Sequence, residues 1–219
     1  MLPHNFPKWQ SVYYYFKQWT MNGVIEKIRI KLVTTVRQQH KRKAQPSAAI
    51  IDAQSVKSTL VSSRSNTGYD GGKQIKGIKR HIVVDTQGLL LCVQVHSAAI
   101  ADIKGGRLLL EKLRSDNQWT GIEKIFADSG YLPPKHRTTK THSKLGGYEL
   151  EIVKKPAAKE KGEFQPLPRR RVVERTFAWQ DTNRRLSKSF EKLPSTEEAM
   201  VELAAVRIML KHCTTAVKN

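Results

Sequence analysis

The sequence predicts a mixed α/β domain, a central sheet flanked by helices, preceded by a small helical region. Two observations carry this reading. The apolar spacing changes near residue 46 from a helical period to short strand-like runs, and the segments after it read strand, hairpin, helix, strand, strand, helices. Composition bounds it: 39% hydrophobic residues with only 13 Gly and 9 Pro in 219 residues supply a core for one domain plus an appendage. Wholesale disorder and fibrous repeats are excluded on the same ground.

Taken in order, Pro7 to Gln39 reads as two helices, with aromatics at Trp9, Tyr13, Tyr14, Tyr15, Phe16 and Trp19 and a break at Asn22-Gly23. Such a pair fits part of a helix-turn-helix, or equally a small helical unit packed on its own aromatics. The basic run His40-Lys41-Arg42-Lys43 and the following Gln45-Pro46-Ser47 mark a boundary, giving a helical region over 1–45 and a main domain over 46–219. Ala48 to Gln54 has strand character. His81-Ile82-Val83-Val84 leads into Asp85-Thr86-Gln87-Gly88, with Asp first and Gly fourth as a type I turn prefers, and Leu89 to Val95 returns as its hairpin partner. Residues 102–114 have helical spacing, Ile122 to Ala127 and Leu150 to Lys154 read as strands, and 155–168 as a polar loop. Pro168 opens a helix through Asp181, and Thr196 to Lys211 forms a last amphipathic helix behind a Ser195-Thr196-Glu197-Glu198 start.

Charge selects the partner. With 39 Lys+Arg against 19 Asp+Glu the formal charge is +20, which makes a polyanion the default ligand. No run of 18 apolar residues and no apolar leader occur, so a cytoplasmic protein without a membrane partner is expected. Cys92 and Cys213 lack the spacing of a zinc site and read as buried thiols.

Four acids directly follow apolar residues: Asp52 (AAIID), Asp85 (HIVVD), Asp128 (KIFAD) and Glu174 (RRRVVE). A carboxylate beside a core must be paired or hold a cation. Asp85 has a structural task as the first residue of the hairpin turn. Asp52 and Asp128 sit in or after strands, and Glu174 lies on a helix with Arg170 and Arg171 a turn before it. Three such carboxylates form either a hard-oxygen cage for Mg²⁺ or Mn²⁺ or three separate ion pairs with the plentiful Lys and Arg.

At these residues the chain resembles the DDE transposases of bacterial insertion sequences, in the large IS-four/IS-five branch. The matching strings are IIDAQSVKST, GYDGGKQIKGIKRHIVVDTQGLLL, IFADSGY, and PRRRVVERTFAW followed by NRRLSKSFE. They span roughly residues 46–192 in the family's order, and LPHNFPKWQSVYYYFKQW resembles the end of its N-terminal region, a partial DNA-binding domain. The resemblance implies an RNase H-like core whose catalytic and metal-binding triad is Asp52, Asp128 and Glu174, holding two Mg²⁺ with Mn²⁺ as a substitute. It implies DNA contacts from Lys73, Lys76, Lys79 and Arg80 on the hairpin beside Asp52. Arg169, Arg170, Arg171, Arg175, Arg184, Arg185 and Lys188 are expected to grip phosphates around Glu174. Leu167 and Asp181 stand where the family's signature has Tyr and Lys, and Arg171 where a Trp is usual.

The activity so implied is metal-dependent cleavage at element ends followed by strand transfer into target DNA. The expected partners are terminal inverted repeats and target DNA, with a homodimer on DNA in a bacterial, nucleoid-associated setting. Relatives carry more helical sequence upstream, so a truncated copy, or the second frame of a split gene with an upstream-frame polypeptide as partner, is also expected. The alternative is a fragment that binds DNA without catalysis. A host RNase H-like nuclease or resolvase is a third reading. Tyr69 and Tyr131 lack the Arg/His setting of a tyrosine recombinase.

Overall fold

A computed structural model describes residues 5–59, 66–137, 141–153 and 168–215. The expected polar loop falls almost wholly on residues 154–167, which lie outside the described residues, as does Leu167.

Among the described residues five α-helices flank one seven-stranded sheet: α1 (Trp9–Met21), α2 (Val24–Gln39), β1 (Ala48–Lys57), β2 (Gly68–Asp70), β3 (Ile75–Asp85) and β4 (Leu90–Ser97) come first. After them come α3 (Asp102–Ser115), β5 (Lys124–Ala127), β6 (His142–Leu145), β7 (Tyr148–Ile152), α4 (Pro168–Asp181) and α5 (Pro194–Thr215). Strand order is β2-β3-β1-β5-β7-β6, with β4 also on β3. β1 is antiparallel to β3 and parallel to β5, and β5 is parallel to β7. An antiparallel meander, a helical crossover and two parallel strands make the fold RNase H-like, as expected.

Strand alternation sorts the covering helices. Ile51 turns toward α3, where a Cβ on Gly106 would lie 3.5 Å from Ile51 Cδ1 and 2.4 Å from the Tyr131 ring. Gln54 and Arg80, paired across β1 and β3, turn to the opposite face, toward Asp181 of α4 and Glu197 of α5. β3 is buried along nearly its whole length, because it has neighbours at both edges and helices on both faces.

The hairpin turn forms as its residues predict. Gly88 N–H donates to the Asp85 carbonyl at 3.0 Å, and Asp85 Oδ1 accepts from the amides of Gln87 and Leu89 at 2.9 Å each. The buried Asp85 also pairs with Arg37 of α2, so its task is structural.

Of the two readings of the N-terminal helices, the unit packed on its own aromatics is not what forms. The α1 aromatics do not pack together as a core: Trp9, Tyr13, Tyr14, Tyr15 and Trp19 are each about half exposed or more, and no α1 residue is buried. By contrast α2 joins the sheet's core through Val33 and Val36. Its buried Arg29 donates to the Leu90 and Leu91 carbonyls and pairs with Glu26 and Glu202. The helical region expected over 1–45 thus shares a core with the sheet. Both cysteines are free; Cys92 is buried, which pushes its thiol up to about 12, whereas Cys213 is only half-buried.

Candidate active site

Asp52 and Asp128 meet because β1 and β5 run parallel and in register. Ile50 lies opposite Phe126, so Asp52, two residues on, and Asp128, just past the end of β5, emerge at the same end of the two strands. Both line one cavity with Ile50, Phe126, Val153 and Val173. Backbone amides orient them: Ala53 N–H donates to Asp52 Oδ1 at 2.7 Å, and Gly130 N–H to Asp128 Oδ1 at 2.8 Å. The second bond caps a short 3₁₀ turn at Ser129–Tyr131 that begins where β5 ends. No Cys or His lines this cavity, and two converging carboxylates fit a hard divalent cation.

Glu174 stands on the exposed side of α4, one residue beyond the buried Val173 that lines the cavity. Among the described residues no group of three or more His, Cys, Asp or Glu is arranged to hold a metal ion. Two of the three expected carboxylates are therefore together, and the third lies on the adjoining helix. α4 is seated by Thr176 Oγ1, which donates to the Gly88 carbonyl at 2.9 Å, and by Arg175, which donates to the Gln87 carbonyl at 3.0 Å. Its far end is tied to β1, where Gln54 Nε2 donates to Asp181 Oδ2 at 2.8 Å. The acid at the spacing where the resemblance has Lys thus fastens the helix two residues from Asp52.

Behind the cavity lies a network that residue patterning does not show. The Tyr131 hydroxyl is 3.2 Å from His81 Nδ1, and the His81 and His96 rings are 4.8 Å apart. Burial and the charges of Asp52, Asp102 and Asp128 hold the Tyr131 hydroxyl well above its usual range, so it stays protonated. That buried, neutral phenol has no setting for a nucleophile. Burial drives His81 well below the usual imidazole range, helped by His96, Lys79 and Lys73. His96 Nδ1 donates to the Ser97 carbonyl at 2.9 Å, leaving Nε2 as the unprotonated atom of a neutral ring. Asp102, at the start of α3, reaches toward the same end: a Cβ on Gly130 would lie 2.9 Å from Asp128 Oδ1 and 3.4 Å from Asp102 Oδ2. An Asp opening a helix is the one available signal for Asp102, and it is equally the signal of an ordinary N-terminal acid.

The bases expected to face DNA divide by burial. Lys79 is buried and bonded to Asp102 Oδ1 at 2.7 Å and the Ile100 carbonyl at 3.0 Å, with Asp70 at 3.4 Å. Arg80 is 0% exposed and bonded to Glu197 and the Leu186 carbonyl. This corrects the expectation for both: alternate strand positions under helices turn their side chains inward, so their charges are neutralised inside the fold. Lys73 and Lys76 are exposed, and Lys73 Nζ donates to the Ala53 carbonyl at 3.1 Å, directly beside Asp52. Arg171, Arg184 and Lys188 are exposed. Arg175 also stacks 4.8 Å over the Trp179 ring, and Arg185 pairs with Glu191 at 2.7 Å. Arg169 and Arg170 belong to the first turn of α4, and their side chains lie outside the described ones.

No helix among the described residues is long and apolar enough to cross a membrane. No curated protein and no solved structure matches the chain. Residues 43–209 match the family model of the transposase DDE domain, a span that contains the whole sheet, the Asp52–Asp128 cavity and α4. With more than half of its length matched, the chain belongs to the transposase DDE domain family.

Proposed function

We propose that this chain cleaves DNA at the ends of an insertion sequence and joins the freed 3′ strand to target DNA, with Asp52 and Asp128 as metal-binding carboxylates and Glu174 completing the set. The observation that carries this is the β1–β5 register, which brings Asp52 and Asp128 into one cavity whose chemistry suits Mg²⁺. When bound there, the metal supplies Lewis-acid activation of the attacking oxygen and charge stabilisation of the leaving one. The protein's own part is positional. The Ala53 and Gly130 amides hold one oxygen of each carboxylate, and the neutral Tyr131–His81–His96 group backs the cavity without adding charge. Lys73 and Lys76, with Arg171, Arg184 and Lys188, offer phosphate contacts on either side.

The exposed stance of Glu174 favours one alternative, a chain that binds DNA without cutting it. Both readings predict salt-dependent DNA binding, and only the first predicts metal-dependent nicking. The test incubates the protein with duplex carrying the element's terminal repeats, with Mg²⁺ or EDTA. We expect nicking in Mg²⁺ alone, abolished by Asp52→Asn, Asp128→Asn and Glu174→Gln while DNA binding persists. Undiminished nicking in Asp128→Asn refutes the site, and DNA binding without nicking by the parent chain establishes the alternative.

A further inference from the structure

A second positively charged feature lies away from the carboxylates, in a cleft of about 660 Å³ between α3 and the β6–β7 turn. Lys104, Arg107, Glu111 and Arg114 are exposed and fall on one face of α3, three bases to one acid. Lys144 of β6 faces them across the cleft. Among the described residues neither Arg107 nor Arg114 makes an ion pair or a side-chain hydrogen bond, although Glu111 lies between them. Both guanidiniums are exposed, so their donors are open to another partner.

The turn shapes the cleft. Gly146 and Gly147 both have left-handed backbone, with φ of 56° and 85°. A Cβ on Gly147 would lie 2.1 Å from Arg114 Nη1, and one on Gly146 would lie 2.5 Å from Leu110 Cβ. Bare backbone at both positions lets the turn lie against α3 and leaves a shelf on which the Arg114 guanidinium rests. Its planar fork is thus partly preorganised, as bidentate phosphate recognition needs.

The geometry relates this cleft to the cavity. α3 starts at Asp102 beside Asp128, and Arg114 lies twelve residues on, about 18 Å along the helix. At 3.4 Å per base pair that is about five base pairs of duplex. We infer that the α3 face and the β6–β7 turn form a second phosphodiester-backbone site, gripping DNA about five base pairs from the phosphate held at Asp52 and Asp128. This rests on the reading that DNA is the substrate, and adds a contact that fixes the duplex axis relative to the carboxylates.

The test compares the parent with Arg114→Ala on two duplexes. One extends about three base pairs to either side of the scissile phosphate and the other about ten, the second length alone reaching Arg114. Arg114 is exposed, so the variant keeps the parent's unfolding midpoint. The measured quantity is the slope of log K against log salt. We expect the variant's slope on the long duplex to fall by about 0.9, one phosphate contact, and its slope on the short duplex to match the parent's. Equal slopes on the long duplex overturn the inference, as does an equal fall on both lengths, which reports net charge alone. Mg²⁺-dependent nicking of the short duplex is read in parallel: its absence in the parent counts against the catalytic reading, and leaves the slope comparison intact.

Discussion

Replacing Glu197 by Ala removes the carboxylate that pairs with Arg80 in the interior. Arg80 Nε lies 2.9 Å from Glu197 Oε1, Nη2 bonds the same oxygen, and Nη1 donates to the Leu186 carbonyl at 2.8 Å. Glu197 Oε2 accepts from Ser189 Oγ at 3.1 Å, and both charged residues are buried. The variant leaves a buried guanidinium without its counter-ion, a loss of about 3–5 kcal/mol. Against a typical domain stability of about 5–15 kcal/mol this is about a fifth or more of the total. In a domain of this size it lowers Tm by roughly 6–20 °C. Replacing the pair together, Arg80→Met with Glu197→Leu, recovers most of the loss, since an apolar pair of similar volume needs no compensation. Urea unfolding followed by circular dichroism at pH 7 measures all three proteins. A loss below about 1 kcal/mol in Glu197→Ala refutes the buried-pair account. So does a stably folded Arg80→Met whose DNA-binding salt slope drops by one phosphate contact, because that restores Arg80 to the DNA surface.

Two further predictions concern the histidine pair. Gly105→Ala would set a methyl 2.2 Å from His96 Nε2 and 2.6 Å from His81 Nε2, so overpacking of about 1–3 kcal/mol outweighs the gain of about 1 kcal/mol in helix propensity. A urea midpoint at or above the parent's contradicts the close approach of α3 to the two rings. Both imidazoles are held below their usual range in the fold, chiefly by burial, so the unfolded chain binds more protons as pH falls below about 6.5. Stability is then full above about pH 6.5 and declines on acidification by up to about 1.4 kcal/mol per pH unit for each ring, until the depressed folded values are reached. Urea midpoints at pH 7.5, 6.5 and 5.5 report this, and a flat profile shows that the rings are not buried as neutral groups.

Much of the fold is legible in the sequence because its elements announce their ends. Pro168 and Asp181 bound α4 as expected, and Asp85-Thr86-Gln87-Gly88 makes its turn from its own side chains and backbone. β3 begins at Ile75, earlier than its apolar run, because Lys79 and Arg80 hide inside through Asp102 and Glu197, partners far off in sequence. Hydropathy counts such residues as surface, and nothing in their local sequence sets these two apart from Lys73 and Lys76, with which the resemblance points them at DNA. The short β2 and the hairpin strand β6 pair at edges and carry no apolar period to reveal them. At the site, Asp52 and Asp128 stand out as acids ending apolar runs. Asp102, Tyr131 and the two histidines do not, since each converges only through tertiary packing. The α1 aromatics mislead for a related reason: a cluster in sequence fixes which face is apolar, and not what covers it.

The place of β1 in the sheet also sets how long one half of the site stays assembled. Its amides bond to β3 on one side and β5 on the other, so exchange with solvent there requires parting the inner ladder rather than fraying an edge. Asp52 therefore keeps its orientation through the brief local openings that expose the β6–β7 hairpin. In a deuterium-exchange experiment the β1 amides between the two ladders, around Ala49 and Ile50, belong to the slowest class, opening only with the whole molecule, and this strand is the last part of the protein to forget its shape.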